Sequence, residues 1–197
     1  MIIITGGIGC GKSAVSRLLR VMGFSVYDCD REARQLMLHD PLLRQQLQET
    51  FGPETYLPDG TLNRPYLSSQ IFNHPDKLQA MNSLVHPAVA RDIHKVAARL
   101  KEQSNNTLFV ETAIYFESGF SHLIEADQVW CVAAPTELCI HRAMLRDKAP
   151  REAIEARINN QLSQEKKIAL SDAVIWNDGE HSIIEQVNAL LTQDFRP

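Results

Sequence analysis

The stretch that decides the fold is Met1-Ile2-Ile3-Ile4-Thr5-Gly6-Gly7-Ile8-Gly9-Cys10-Gly11-Lys12-Ser13. Its first part is apolar and β-branched without interruption, the pattern of a short strand buried on both faces. From Gly6 to Ser13 it matches G-x-x-x-x-G-K-[ST]. Helical spacing then begins, with Val15, Leu18, Leu19 and Met22 on one side. A glycine-rich turn between a strand and a helix lets successive backbone N–H groups point inward at phosphate oxygens. The helix adds the positive end of its dipole. Gly7, Ile8, Gly9, Cys10, Gly11, Lys12, Ser13 and Ala14 are therefore the candidate phosphate-binding residues. Lys12 brings a full charge to the β- and γ-phosphates of a nucleoside triphosphate, and the Ser13 hydroxyl is a ligand for Mg²⁺.

Working outward, Ser25 to Tyr27 read as a second short strand. Strand, helix and strand in this space make a βαβ unit, which implies a parallel sheet with a right-handed crossover. Asp28-Cys29-Asp30 ends the second strand, at the end of a parallel sheet where ligands bind. If that segment stays extended, Asp28 and Asp30 point to the same side, and one of them can position or deprotonate an attacking hydroxyl. The equally open reading makes them turn and N-cap aspartates ahead of a helix at Arg31. From Arg31 to about Gln103 strand signals are weak and helical ones dominate. A long helix starts at Pro75 and carries an apolar stripe at Ile93, Val96, Ala97 and Leu100, closed by the turn-forming cluster Ser104-Asn105-Asn106. The α/β rhythm resumes with strands at Leu108 to Val110, Gln128 to Ala133 and Ala173 to Trp176. Helices are expected at Thr136 to Arg146, at Arg151 to about Gln164 after Pro150, and over Ile183 to Leu191.

Whole-chain arithmetic narrows the function classes. With 197 residues, 44% hydrophobic and 22% charged, the chain suits one domain, or one core with large insertions. A net charge of -4 disfavours a nucleic-acid coat, so no nucleic-acid partner is expected. A small polyanion needs only a local cluster of donors. The four cysteines show no C-x-x-C spacing, which favours free thiols in a reducing compartment over a zinc or redox motif. No apolar run approaches the roughly 18 residues of a membrane span, and the N-terminus lacks a signal-peptide pattern. No membrane partner and a cytoplasmic location are therefore expected. The histidines show no metal-ligand spacing. Arg142 and Arg146 lie four apart on one helix face, with Arg157 on the next helix. They read either as a lid closing over a triphosphate or as a solvated basic face. Phe51, Tyr56, Tyr66 and Phe72 read as core or as pocket wall. Cys10 reads in two ways: its place beside Lys12 at a helix N-terminus favours a reactive thiol, and apolar burial would push the other way. A nucleotide switch is disfavoured, because there is no N-K-x-D and none of the nine glycines has Asp three positions before it.

The ordered series is more specific than the phosphate loop. It comprises Thr5 to Ser13, Asp28-Cys29-Asp30, Leu62-Asn63-Arg64 with Leu67 and Phe72, His86-Pro87, and Phe116-Glu117 with Gly119. Further on come Arg142, Arg146, Arg157 and Gln161, then Asp172 to Gly179, DAVIWNDG. Over essentially the whole chain this resembles the dephospho-CoA kinase family. The resemblance implies an α/β fold: a three-layer P-loop kinase core with a parallel sheet, a helical CoA-binding insertion and a helical lid. It implies ATP and Mg²⁺ as cofactors and dephospho-CoA as substrate, phosphorylated on the ribose 3′-hydroxyl to give coenzyme A and ADP. Another P-loop small-molecule kinase, of nucleoside monophosphate or shikimate type, is the alternative.

On this resemblance residues 1–30 and 104–197 form the nucleotide-binding core, 31–103 the substrate-binding insertion and 140–165 the lid. Asp30, Lys12 and Arg142 are the expected catalytic residues. Arg142, Arg146 and Asn177 join the loop in holding ATP, and Asp30, Arg64, His86, Glu117 and Arg157 hold the substrate. Oligomeric state is left open, as monomer or small homo-oligomer. Three departures stand out: Cys10 for the family's Ser, Asn63 for Asp, and Ala113-Ile114-Tyr115 for Pro-Leu-Leu.

Overall fold

The structure, a computed structural model, describes residues 1–72, 74–103, 107–117 and 119–194. The expected turn cluster Ser104-Asn105-Asn106 lies outside the described residues. By internal contacts the chain divides into a first unit, Met1–Tyr27 with Leu100–Pro197, and a second, Asp28–Arg99.

The first unit is built on the strands β1 (Ile2–Thr5), β2 (Ser25–Asp28), β3 (Leu108–Glu111), β4 (Gln128–Ala133) and β5 (Ala173–Trp176). They form one five-stranded parallel sheet in the order β2-β3-β1-β4-β5. Register is set by Ile3, opposite Val110 on one side and Val129 on the other. β1 is central and fully buried, which is why its sequence is a continuous apolar run rather than an alternating one. Ile2, Ile4, Phe109, Trp130, Val132 and Ile175 turn to one face of the sheet. There they meet Val15 and Leu19 of α1 (Lys12–Val21) and Val187 and Leu191 of the C-terminal helix, Ile183–Asp194. Phe109 anchors this face, packed edge-on by Phe24 at 5.3 Å and tilted against Trp130 at 5.4 Å. Burying a side chain of this kind contributes about 2–3 kcal/mol.

The second unit is helical: α2 (Cys29–His39), α3 (Pro41–Phe51), α4 (Arg64–Ile71) and α5 (Pro75–Gln103), the last running on into the first unit. Asp28, Asp40 and Asn63 cap α2, α3 and α4 through their side chains. Asn serves as an N-cap as well as Asp does, which accounts physically for the tolerated departure at Asn63. The aromatics divide. Phe51 and Tyr56 are buried, and the Tyr56 hydroxyl donates to the Met37 carbonyl at 2.6 Å. Tyr66 is half-buried and donates to the Phe51 carbonyl at 2.5 Å. Phe72 is exposed, neither core nor wall within its own unit.

After β4 come α6 (Thr136–Asp147), α7 (Arg151–Asn159) and α8 (Gln164–Ala169); the C-terminal helix is α9. The single helix expected from Arg151 to Gln164 is therefore two. Ser163 stands between them and caps α8 by accepting from the Lys166 N–H; a serine hydroxyl favours such an end over a helix interior. α6 and α7 share their own small apolar cluster of Ile140, Ala143 and Ile154. No helix among the described residues is long and apolar enough to cross a membrane.

Candidate active site

The loop between β1 and α1 runs from Gly6 to Gly11. Gly9 and Gly11 hold φ of +78° and +97°, in the left-handed region. A Cβ on Gly9 would lie 2.1 Å from the Cys139 carbonyl oxygen, and one on Gly11 would lie 1.9 Å from Nδ2 of Asn177. Nothing lies within 4 Å of a Cβ built on Gly7. Gly9→Ala should therefore lower stability by about 1–3 kcal/mol from backbone strain alone, while Gly7→Ala should leave folding near wild type. Thermal unfolding of the two variants side by side checks this.

α1 starts without a side-chain cap and without an acidic residue in its first turn. Its first N–H groups have no intrahelical partners, so the loop and helix end together present donors of the kind an anion needs. Lys12 Nζ donates to the Gly6 and Gly7 carbonyls, at 3.0 Å each, which holds the ammonium over the loop. Ser13 is exposed in the first turn, so its hydroxyl is free to serve a cation there. These residues fit a Mg²⁺-bound triphosphate.

Asn177 follows β5 and continues its pairing, its N–H donating to the Ala133 carbonyl at 2.8 Å. Its side-chain amide donates to the Cys10 carbonyl at 2.9 Å, in the space left by the missing Cβ of Gly11. Arg142, from α6, donates through Nη1 to the Asn177 carbonyl at 2.8 Å. The structure thus brings Asn177 and Arg142 to the phosphate loop. Arg146 and Arg157 converge elsewhere, on Asp147, at 2.7 and 2.6 Å. Those two guanidinium groups hold the Asp147 carboxyl well below the usual carboxylate range.

Ile8 is engaged twice. Its side chain packs on the α6–α7 cluster, and its N–H donates to Oε1 of Gln161 at 3.2 Å. Glu117, an expected substrate ligand, has its carboxylate committed within the protein. Oε1 accepts from the Leu162 N–H at 3.0 Å and pairs with Lys167 Nζ at 2.8 Å. Lys167, fully buried, also donates to the Ala113 carbonyl at 2.7 Å. Sequence reading missed Lys167. A lysine in Gln164-Glu165-Lys166-Lys167 looks like part of a solvated helix face, and its acceptor lies 54 residues away.

Of the two readings of Cys10, the structure shows burial. Its side chain is fully buried in the core cluster with Val15, Val132 and Cys139, so a reagent at the loop does not meet it. Burial, with the neighbouring Cys10 second, pushes the Cys131 and Cys139 thiols up to about 11.

In the second unit, Asp28 and Asp30 do not share a side. The strand ends at Asp28, whose carboxylate accepts the Arg31 N–H at 3.0 Å and starts α2. Asp30 therefore stands in the first helical turn, where the two-residue alternation of a strand no longer applies. It is exposed, and its carboxylate makes no hydrogen bond or ion pair to another described residue. Arg64 opens α4 and is exposed, while His86 sits half-buried inside α5, where burial lowers its pKa.

Comparisons with known proteins accord with this geometry. A family model described as dephospho-CoA kinase matches residues 1–182. The dephospho-CoA kinase of Bacteroides fragilis is 38% identical over 188 residues, covering 95% of this chain and 89% of that protein. Among solved structures, TT1252 from Thermus thermophilus superposes with a TM-score of 0.84 at 31% identity, over 100% of this chain and 97% of that one. The dephospho-CoA kinase from Campylobacter jejuni gives 0.69 at 25% identity, over 98% and 96%.

Proposed function

The chain belongs to the dephospho-CoA kinase family, and from that membership we propose how its own residues carry the reaction. The protein is an ATP-dependent kinase of coenzyme A synthesis that phosphorylates the ribose 3′-hydroxyl of dephospho-CoA. The observation that carries the assignment of roles is the uncapped amino end of α1 under a glycine loop, with Lys12 held over it.

Backbone N–H groups within Gly7 to Ala14 cradle the phosphates, those of Ile8 and Ala14 being held by Gln161 and the Gly11 carbonyl instead, and Lys12 neutralises charge on the β- and γ-phosphates as it builds up. Asn177 and Arg142 brace the loop and stand at its nucleotide side, with Arg146 joining them on nucleotide binding. Ser13 would hold Mg²⁺, which would supply neutralisation of the triphosphate charge. Asp30 orients the acceptor hydroxyl and takes its proton. Residues 31–103 form the insertion that binds the CoA portion, with Arg64 and His86 among its ligands, and residues 140–165 form the lid, in which Arg157 would exchange its pair with Asp147 for the substrate. Glu117 is the exception: its bonds to Lys167 and Leu162 support a scaffold role in place of substrate contact. A cytoplasmic location belongs to the same proposal, supported by four buried cysteines that form no disulfide among the described residues, which suits a reducing compartment.

The test is ADP release from ATP against a panel of acceptors, with and without a chelator. We expect stimulation by dephospho-CoA, none by shikimate or nucleoside monophosphates, and loss on chelation restored by Mg²⁺. Equal turnover under chelation would remove Ser13 from its metal role.

A further inference from the structure

A chain of polar contacts runs from the interior of the first unit to the phosphate loop. Lys167 Nζ, fully buried, is held by Glu117 Oε1 at 2.8 Å and by the Ala113 carbonyl at 2.7 Å. The same Glu117 oxygen accepts the Leu162 N–H at 3.0 Å, and Glu117 Oε2 is buried without a hydrogen-bond partner among the described residues. The carboxylate is thus compensated by one cation and spends its directed bond on the backbone between α7 and α8. The residue next to Leu162 in sequence is Gln161, whose Oε1 accepts the Ile8 N–H at 3.2 Å. Gln161 lies just past the end of α7, where its own N–H donates to the Ile158 carbonyl at 2.9 Å, and the chain leaves the helix after it. What fixes its neighbour is Glu117.

We propose that Gln161, held in place by the buried Glu117–Lys167 pair, is a positioning residue that sets the phosphate loop at Ile8 for ATP. A glycine-rich loop has many conformations to lose when it closes on a ligand. Securing one of its N–H groups, next to a side chain already packed on α6 and α7, leaves the others pre-arranged and lowers the ordering cost of binding. The buried pair suits this purpose because a charge taken from water keeps its place only with its partner in good geometry. None of these residues touches the transferred group in this scheme; they act through Ile8. The inference rests on the assignment of the loop to ATP.

The test compares Gln161→Ala, Glu117→Gln, the double variant and Lys167→Arg by calorimetric titration with ATP and by steady-state kinetics. Gln161→Ala and Glu117→Gln should each weaken ATP binding about tenfold, the worth of one hydrogen bond of ordinary strength. At saturating ATP, kcat should stay within about twofold of wild type, as expected of a ground-state effect. The double variant should be no worse than either single one, because both break one path, and Lys167→Arg should retain most of the affinity. Gln161 is half-exposed, so its variant folds even if changes at Lys167 do not. ATP affinity of Gln161→Ala equal to wild type would overturn the proposal, as would independent losses that multiply in the double variant. Wild-type protein that fails to bind ATP would instead sink the loop assignment and this proposal with it.

Discussion

Lys12→Ala is expected to lower kcat/KM for ATP by about a thousandfold, the scale seen when one pre-placed donor to a developing charge is removed. Lys12 is the only full positive charge between Gly6 and Ser13. The α1 dipole that would remain amounts to roughly half a charge and is spread over several N–H groups. The ammonium is not free to drift, since the Gly6 and Gly7 carbonyls hold it at 3.0 Å. Those bonds stabilise the fold little, about 1 kcal/mol net, because Lys12 is only half-buried. Activity and stability should therefore separate. ADP release will fall steeply while the melting temperature moves by a few degrees. Near-normal kcat/KM would remove the loop from the reaction.

Asp30→Asn is expected to lower turnover by about 10²- to 10⁴-fold, the usual contribution of a positioned base, with ATP affinity within about twofold of wild type. The amide keeps the shape of the carboxylate and loses only its charge and its capacity to take a proton. Asp30 has no partner among the described residues to lose. Its stability contribution is confined to its place in the first turn of α2, about 0.3–1 kcal/mol. Asp28→Asn is the matched control. Asn at an N-cap accepts the Arg31 N–H as Asp does, so fold and turnover should both persist. Equal losses of turnover and ATP affinity in Asp30→Asn would argue against its role as base.

The two aspartates also show where sequence reading ran out. Asp28-Cys29-Asp30 is compatible with an extended strand end and with a helix start, and spacing alone does not choose. The choice is made by one bond, from the Arg31 N–H to Asp28, and α2 starts at Cys29, two residues before the position expected at Arg31. Cys10 stands between two readings for a related reason. Proximity to Lys12 in sequence says nothing of direction, and the sharp backbone of the loop turns the thiol into the core while the carbonyl faces Asn177. The glycines were legible as a class, but the backbone oxygen of Cys139 and the amide of Asn177 that demand Gly9 and Gly11 come from α6 and the end of β5.

The parallel sheet, the phosphate loop and the family were all determined by the sequence, because each rests on local signals. A β-branched run, a glycine pattern before a helix and an ordered series of short motifs are all read within a few residues. The tertiary structure alone decided that Asn177 and Arg142 brace that loop, and that Arg146 and Arg157 converge instead on Asp147. It alone paired Lys167 with Glu117 to hold the stretch beside Gln161. The reason is physical: a buried charge or amide is satisfied by whatever acceptor the packing brings to it, and that acceptor's distance along the chain is not written in any local pattern.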